Sequence, residues 1–145
     1  TRLNNAETLV QTDELTGLRN RRGLYAHLDE LEDHPQPGVL GLLLVDLDDF
    51  KTINDSFGHI TGDRVLEAVA GQLRRVAGER DMPARLGGDE FALLVHAERT
   101  EDIEQRARTL VDSVRQLALP EPLQSTTLTI SVGAVGLDGE FIAAF

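Results

Sequence analysis

Val39-Leu-Gly-Leu-Leu-Leu-Val-Asp-Leu-Asp48 is an apolar run that stops on two aspartates. The turn-forming Pro35-Gln-Pro-Gly38 precedes it. A short apolar run bounded in this way predicts a strand buried on both faces. Upstream, Asn20 suits a helix N-cap, and Leu24, Leu28 and Leu31 form one stripe after it. Downstream, a helix is predicted from about Thr61, with Val65, Val69, Leu73 and Val76 as its apolar stripe. Met82–Leu86 and Phe91–Val95 read as short strands, and the Gly-rich joint Gly87-Gly-Asp-Glu90 signals a hairpin. Glu101–Leu117 is the clearest helix, because Ile103, Ala107, Leu110, Val114 and Leu117 step by four and three. Pro120 and Pro122 close it. Thr127–Val135 alternates Leu128, Ile130, Val132 and Ala134 with small polar residues, which predicts a strand with one buried face.

The order strand–helix–strand–strand–helix–strand is the ferredoxin-like split unit, an α+β antiparallel sheet with flanking helices. A right-handed crossover makes the first two strands parallel and returns the third between them. This topology brings the end of the first strand (Asp46, Asp48) beside the hairpin (Asp89, Glu90). Ahead of the unit, Leu3, Ala6, Leu9 and Val10 recur at helical spacing, so residues 1–12 read as the end of a connecting helix from a larger protein.

The chain has 145 residues, 14 Lys and Arg against 25 Asp and Glu, and a net charge of −11. That length suits one core. No apolar run approaches the roughly 20 residues that span a bilayer. The absence of cysteine excludes disulfides and thiolate metal sites, and is compatible with a cytoplasmic setting. The acidic balance argues against a nucleic-acid backbone or an anionic membrane surface as partner. A phosphorylated small molecule is compatible if a divalent cation stands between it and the carboxylates.

One Asp at a strand end is ordinary. Several carboxylates gathered together repel unless a cation offsets them. Oxygen ligands without thiolates favour Mg²⁺, Mn²⁺ or Ca²⁺. Gly87-Gly88 fits a turn needing positive φ, or a backbone approaching phosphate oxygens. Lys51 fits a solvated charge or a phosphate contact. Asn54 fits a turn and Asp63 a helix N-terminus, while together an Asn carbonyl and an Asp carboxylate match the N1–H and N2–H₂ donors of guanine. His59, in Phe57-Gly-His59, reads as structural, and no His pair has metal-ligand spacing.

Four blocks in order resemble the GGDEF family, the diguanylate cyclases. They are Asp13-Glu-Leu-Thr-Gly-Leu-Arg-Asn-Arg-Arg22, then Asp46-Leu-Asp-Asp-Phe-Lys-Thr-Ile-Asn-Asp-Ser-Phe-Gly-His59 with Gly62-Asp63, then Arg85-Leu-Gly-Gly-Asp-Glu-Phe91, then Ile130-Ser-Val-Gly133. The resemblance covers residues 13–145 and implies a nucleotidyl-cyclase-like fold. It implies condensation of two GTP into cyclic di-GMP and two pyrophosphates across a transient homodimer, each subunit holding one GTP. Asp46, Asp89 and the Leu47 carbonyl would hold Mg²⁺ or Mn²⁺. Asn54 and Asp63 would read guanine. Lys51 and amides near Phe50 would contact phosphates, with His59 and Gly88 also lining the substrate site. Glu90 would assist at the metal or the attacking hydroxyl. The resemblance also implies an upstream sensor domain, and admits a downstream phosphodiesterase domain and a membrane anchor elsewhere in the full-length protein. The other reading of the same blocks is a non-catalytic GTP-binding module that regulates an attached output domain.

Two features depart from the family pattern. An inhibitory product site, Arg-x-x-Asp, is common in the family; here that window is Gly78-Glu-Arg-Asp81, which keeps Asp81 without its Arg. Weak or absent feedback inhibition is expected. The family also continues into a last helix with basic residues, and Gly139-Glu-Phe-Ile-Ala-Ala-Phe145 does not resemble it.

Overall fold

The computed structural model describes residues 10–137 and 141–145. Among these residues four helices and five strands follow in chain order: α1 (Arg21–Asp33), β1 (Val39–Leu47), α2 (Phe50–Phe57), α3 (His59–Val76), β2 (Met82–Gly87), β3 (Glu90–Ala97), α4 (Thr100–Arg115), β4 (Ile130–Gly136) and β5 (Phe141–Ala144). The sheet order is β2-β3-β1-β4-β5, and every neighbouring pair is antiparallel. β3 lies between β1 and β2, as the split unit requires. The predicted fold class is therefore the observed one.

Burial along β1 alternates. Leu43, Val45 and Leu47 are buried against α2, α3 and α4 in the main core with Val65, Val69, Leu73, Ile103 and Leu110. The other face carries Leu42, Leu44 and Asp46. There α1 lays Leu24, Leu28 and Leu31 over Ala84, Ala92, Leu94 and Leu42. Leu44 stays 43 % exposed. The expectation that β1 is buried on both faces is corrected: one short helix covers only part of that face, and aliphatic content alone does not report coverage.

Other boundaries also move. α3 begins at His59 rather than Thr61, because Gly58 (φ 89°) makes the joint with α2. α4 ends at Arg115 rather than Leu117, and β4 begins at Ile130 rather than Thr127. α2 and β5 were not expected. Asn54, Asp55 and Ser56 are poor helix formers, and they obscure the Phe50, Ile53, Phe57 spacing. The expected connecting helix lies outside the described residues over 1–9, and Thr12 already pairs with Arg19 in an isolated bridge. Asn20 caps α1 as expected, its side chain accepting from the Gly23 N–H at 2.9 Å.

Candidate active site

The site is assembled at the end of β1. Asp46 pairs in register with Glu90 on β3 and with Ser131 on β4, so the carboxylates of Asp46 and Glu90 stand on one face. Asp89 occupies the hairpin turn, and its carbonyl accepts from the Leu47 N–H at 3.2 Å. The hairpin tip is thereby tied to the last residue of β1. Gly87 (φ 149°) and Gly88 (φ 47°) take backbone conformations that side chains avoid, and a Cβ built on either meets nothing within 4 Å. Conformation requires these glycines, and open space lies in front of them.

Asp48 leaves the strand toward β4. Its two oxygens accept from Thr129 Oγ1 at 2.8 Å and Ser131 Oγ at 2.7 Å. Asp49 then takes a left-handed turn (φ 58°, ψ 24°), which Asp tolerates better than most residues. Burial raises the pKa of Asp46, and the charges of Asp89, Glu90 and Asp48 raise it further. Among the described residues no three His, Cys, Asp or Glu side chains form a ready-made metal cage. The oxygen donors gathered at this end of the sheet are the carboxylates of Asp46, Asp89 and Glu90. Such a set suits Mg²⁺, which keeps other positions for water and substrate oxygens.

Directly after the acidic strand end comes α2. It has no acidic residue in its first turn, and among the described residues no side chain caps its first amides. Lys51 lies in that turn, where the helix dipole disfavours a cation. An anion bound there would be matched by both the amides and the ammonium. Asn54 lies inside α2 rather than in a turn, and Asp63 lies beyond the first turn of α3, so neither local explanation applies to them. The fold places Asn54 against Gly62, the residue before Asp63. His59 opens α3 and is exposed, whereas Phe50 is buried in the core.

The sequence profile of the family described as "Diguanylate cyclase, GGDEF domain" matches residues 10–141. The chain belongs to the GGDEF family. It is 38% identical over 133 residues to the diguanylate cyclase DgcP of Pseudomonas aeruginosa, covering 88% of this chain and 19% of that protein. It is 36% identical over 143 residues to the response regulator PleD of Caulobacter vibrioides, covering 95% of this chain and 31% of that protein. The chain thus spans well under half the length of these relatives. Among solved structures, the diguanylate cyclase SiaD of P. aeruginosa, determined with its activator SiaC, superposes with a TM-score of 0.81 at 37% identity. That match covers 93% of this chain and 53% of SiaD. The coiled coil and GGDEF domain of DgcB from Caulobacter crescentus, in complex with c-di-GMP, gives a TM-score of 0.81 at 30% identity. It covers 93% of this chain and 73% of that one.

In this GGDEF domain Asp81 is an internal brace. Its side chain is 2% exposed and pairs with Arg106 of α4. It also accepts from the backbone N–H groups of Gly78 at 2.7 Å and His96 at 2.9 Å. A second brace was missed in the sequence. Arg85 donates to the Gly88 carbonyl at 2.8 and 3.1 Å and to the Asp13 carboxylate at 3.2 and 3.3 Å. It links the signature hairpin to the N-terminal turn. Both partners lie in the recognised blocks, but nothing in their spacing pairs them.

Proposed function

We propose that this domain condenses two GTP into cyclic di-GMP with release of two pyrophosphates, one GTP per subunit of a homodimer. The observation that carries the reading is the meeting of Asp46, Asp89 and Glu90 at one sheet end, immediately before an uncapped helix bearing Lys51. The family membership and the relatives named diguanylate cyclase support it. Each 3′-hydroxyl attacks the α-phosphate of the facing GTP, a P–O bond forms, and pyrophosphate leaves with the broken bond's electrons.

Asp46, Asp89 and the Leu47 carbonyl would hold Mg²⁺ or Mn²⁺. When bound, the cation neutralises the charge that develops on the phosphoryl oxygens. The chain supplies positioning, which is most of what phosphoryl transfer asks of a protein. Lys51 and the first amides of α2 bind phosphate oxygens, with the Gly88 backbone facing the same space. Asn54 and Asp63 accept from the guanine edge. Phe50 anchors α2 in the core, and His59 starts the helix that carries Asp63. Glu90 stands beside Asp46, where it can orient the attacking hydroxyl or take its proton. The full-length protein would place a sensor domain upstream, with room for an output domain downstream, and would use cytoplasmic GTP.

The test incubates the chain at high concentration with GTP and Mg²⁺, resolves the nucleotides by chromatography, and uses Asp89→Asn as control. Cyclic di-GMP from the wild type alone supports the enzyme. GTP binding without product, in the chain and in its longer native form alike, would leave the non-catalytic module.

A further inference from the structure

Gly62 is buried inside α3, an interior helix position at which glycine is less favourable than alanine. Its φ is not positive, so the backbone does not ask for glycine there. Space does. A Cβ at Gly62 would fall on the Asn54 carboxamide oxygen and lie 3.3 Å from Cζ of Phe50. Gly71 of the same helix differs, because a Cβ there meets nothing within 4 Å. Among the described residues no side-chain hydrogen bond holds the Asn54 carboxamide. Packing against Gly62 and Phe50 therefore sets where it sits.

We infer that Gly62 is a specificity-positioning residue: the slot left by its missing side chain seats the Asn54 carboxamide next to Asp63, so that two helices present one base-reading edge. The inference rests on the guanine reading above. The two helices meet at Gly58, whose amide donates to the Asn54 carbonyl at 2.8 Å and whose carbonyl accepts from the Gly62 N–H at 3.1 Å. The same joint that ends α2 fixes the level at which Asn54 faces α3. Alanine at Gly62 would leave Asp63 and the acidic cluster in place and turn the carboxamide away.

The experiment measures affinity for the α,β-methylene analogues of guanosine and adenosine triphosphate by calorimetry with Mg²⁺. It compares the wild-type chain, Asn54→Ala, Gly62→Ala and the double variant. Gly62→Ala and Asn54→Ala should each lower the guanine-over-adenine preference by about tenfold, and the double variant should lose no more than either. Melting gives a second readout. Gly62→Ala should lower Tm when Asn54 is present, and lower it much less in the Asn54→Ala background, where the 3.3 Å approach to Phe50 is set against the better helix propensity of alanine. If Asn54→Ala loses the preference and Gly62→Ala keeps it, or if the two effects add, the inference is wrong while the guanine reading stands. If Asn54→Ala itself keeps the preference, the guanine reading falls and takes the inference with it. Should Gly62→Ala not fold alone, a double variant that folds supports the slot, and one that also fails to fold refutes it.

Discussion

Asp46 sits among Asp89, Glu90 and Asp48, and burial together with their charges raises its pKa. Two consequences follow for substitution. Asp46→Asn and Asp89→Asn each remove a ligand candidate, and losing several kcal/mol of charge stabilisation should lower the proposed Mg²⁺-dependent turnover on the order of 10³-fold. Asp46→Asn also relieves repulsion in the metal-free protein, so its Tm should match or exceed the wild type by circular dichroism. A variant with wild-type turnover would remove that residue from the metal assignment. Asp81 behaves in the opposite way. It is a buried partner to Arg106 and to two backbone amides, so Asp81→Ala should cost about 3 kcal/mol in urea unfolding. With Gly78 where the family carries Arg, calorimetry should find no tight cyclic di-GMP binding at this site in the wild type. Tight binding abolished by Asp81→Ala would overturn that expectation.

The N-terminal turn and the signature hairpin act as one element through Arg85. Asp13 organises the turn by accepting from the Thr16 N–H at 2.9 Å and the Thr16 hydroxyl at 2.7 Å, and its remaining capacity goes to Arg85. Burial alone would raise its pKa, but the Thr16 hydrogen bonds and the Arg85 charge outweigh it and the net shift is downward. A depressed carboxylate stabilises the fold above its unfolded pKa, and that contribution is lost as pH falls through the folded value. Asp13→Asn should therefore melt below the wild type at neutral pH, and the gap should close as pH falls below about 4. A gap that is constant down to acid pH would show that shape, not charge, makes the brace. α2 and β5 mark where local reading was weakest. α2 holds its helix because Phe50 and Ile53 are buried in the core, overriding the turn propensity of Asn54 and Asp55. β5 forms because β4 offers an open edge, with Gly133 to Val135 pairing Ala144 to Phe141.

For the assembled domain the proposed chemistry needs two copies, since one site holds one GTP and the product contains two nucleotides. The rate should rise more than linearly with protein concentration while dimers are scarce. A rate strictly proportional to monomer concentration across the dimerisation range would contradict the half-site scheme. Chelation of the divalent cation should abolish turnover, because a chain with net charge −11 lacks the positive charge to hold a triphosphate unaided. Restoration by Mg²⁺ or Mn²⁺ checks this, and undiminished turnover with chelator would refute the cation's role. Among the described residues no helix is long and apolar enough to cross a membrane.

Much of this protein is legible in its sequence. Apolar periodicity marks α1, β1, α3, α4 and the hairpin strands, because the core selects for it residue by residue. The blocks around Asp46 and Asp89 name the family, because the chemistry asks for particular side chains at particular spacings. Handedness and strand order even place those two aspartates together. What needed the folded chain were the relations between blocks. That Asp81 faces Arg106, that Arg85 reaches Asp13, and that Asn54 fills the slot at Gly62 depend on how helices and hairpins pack. Packing is a property of three-dimensional neighbours that share no local pattern along the chain.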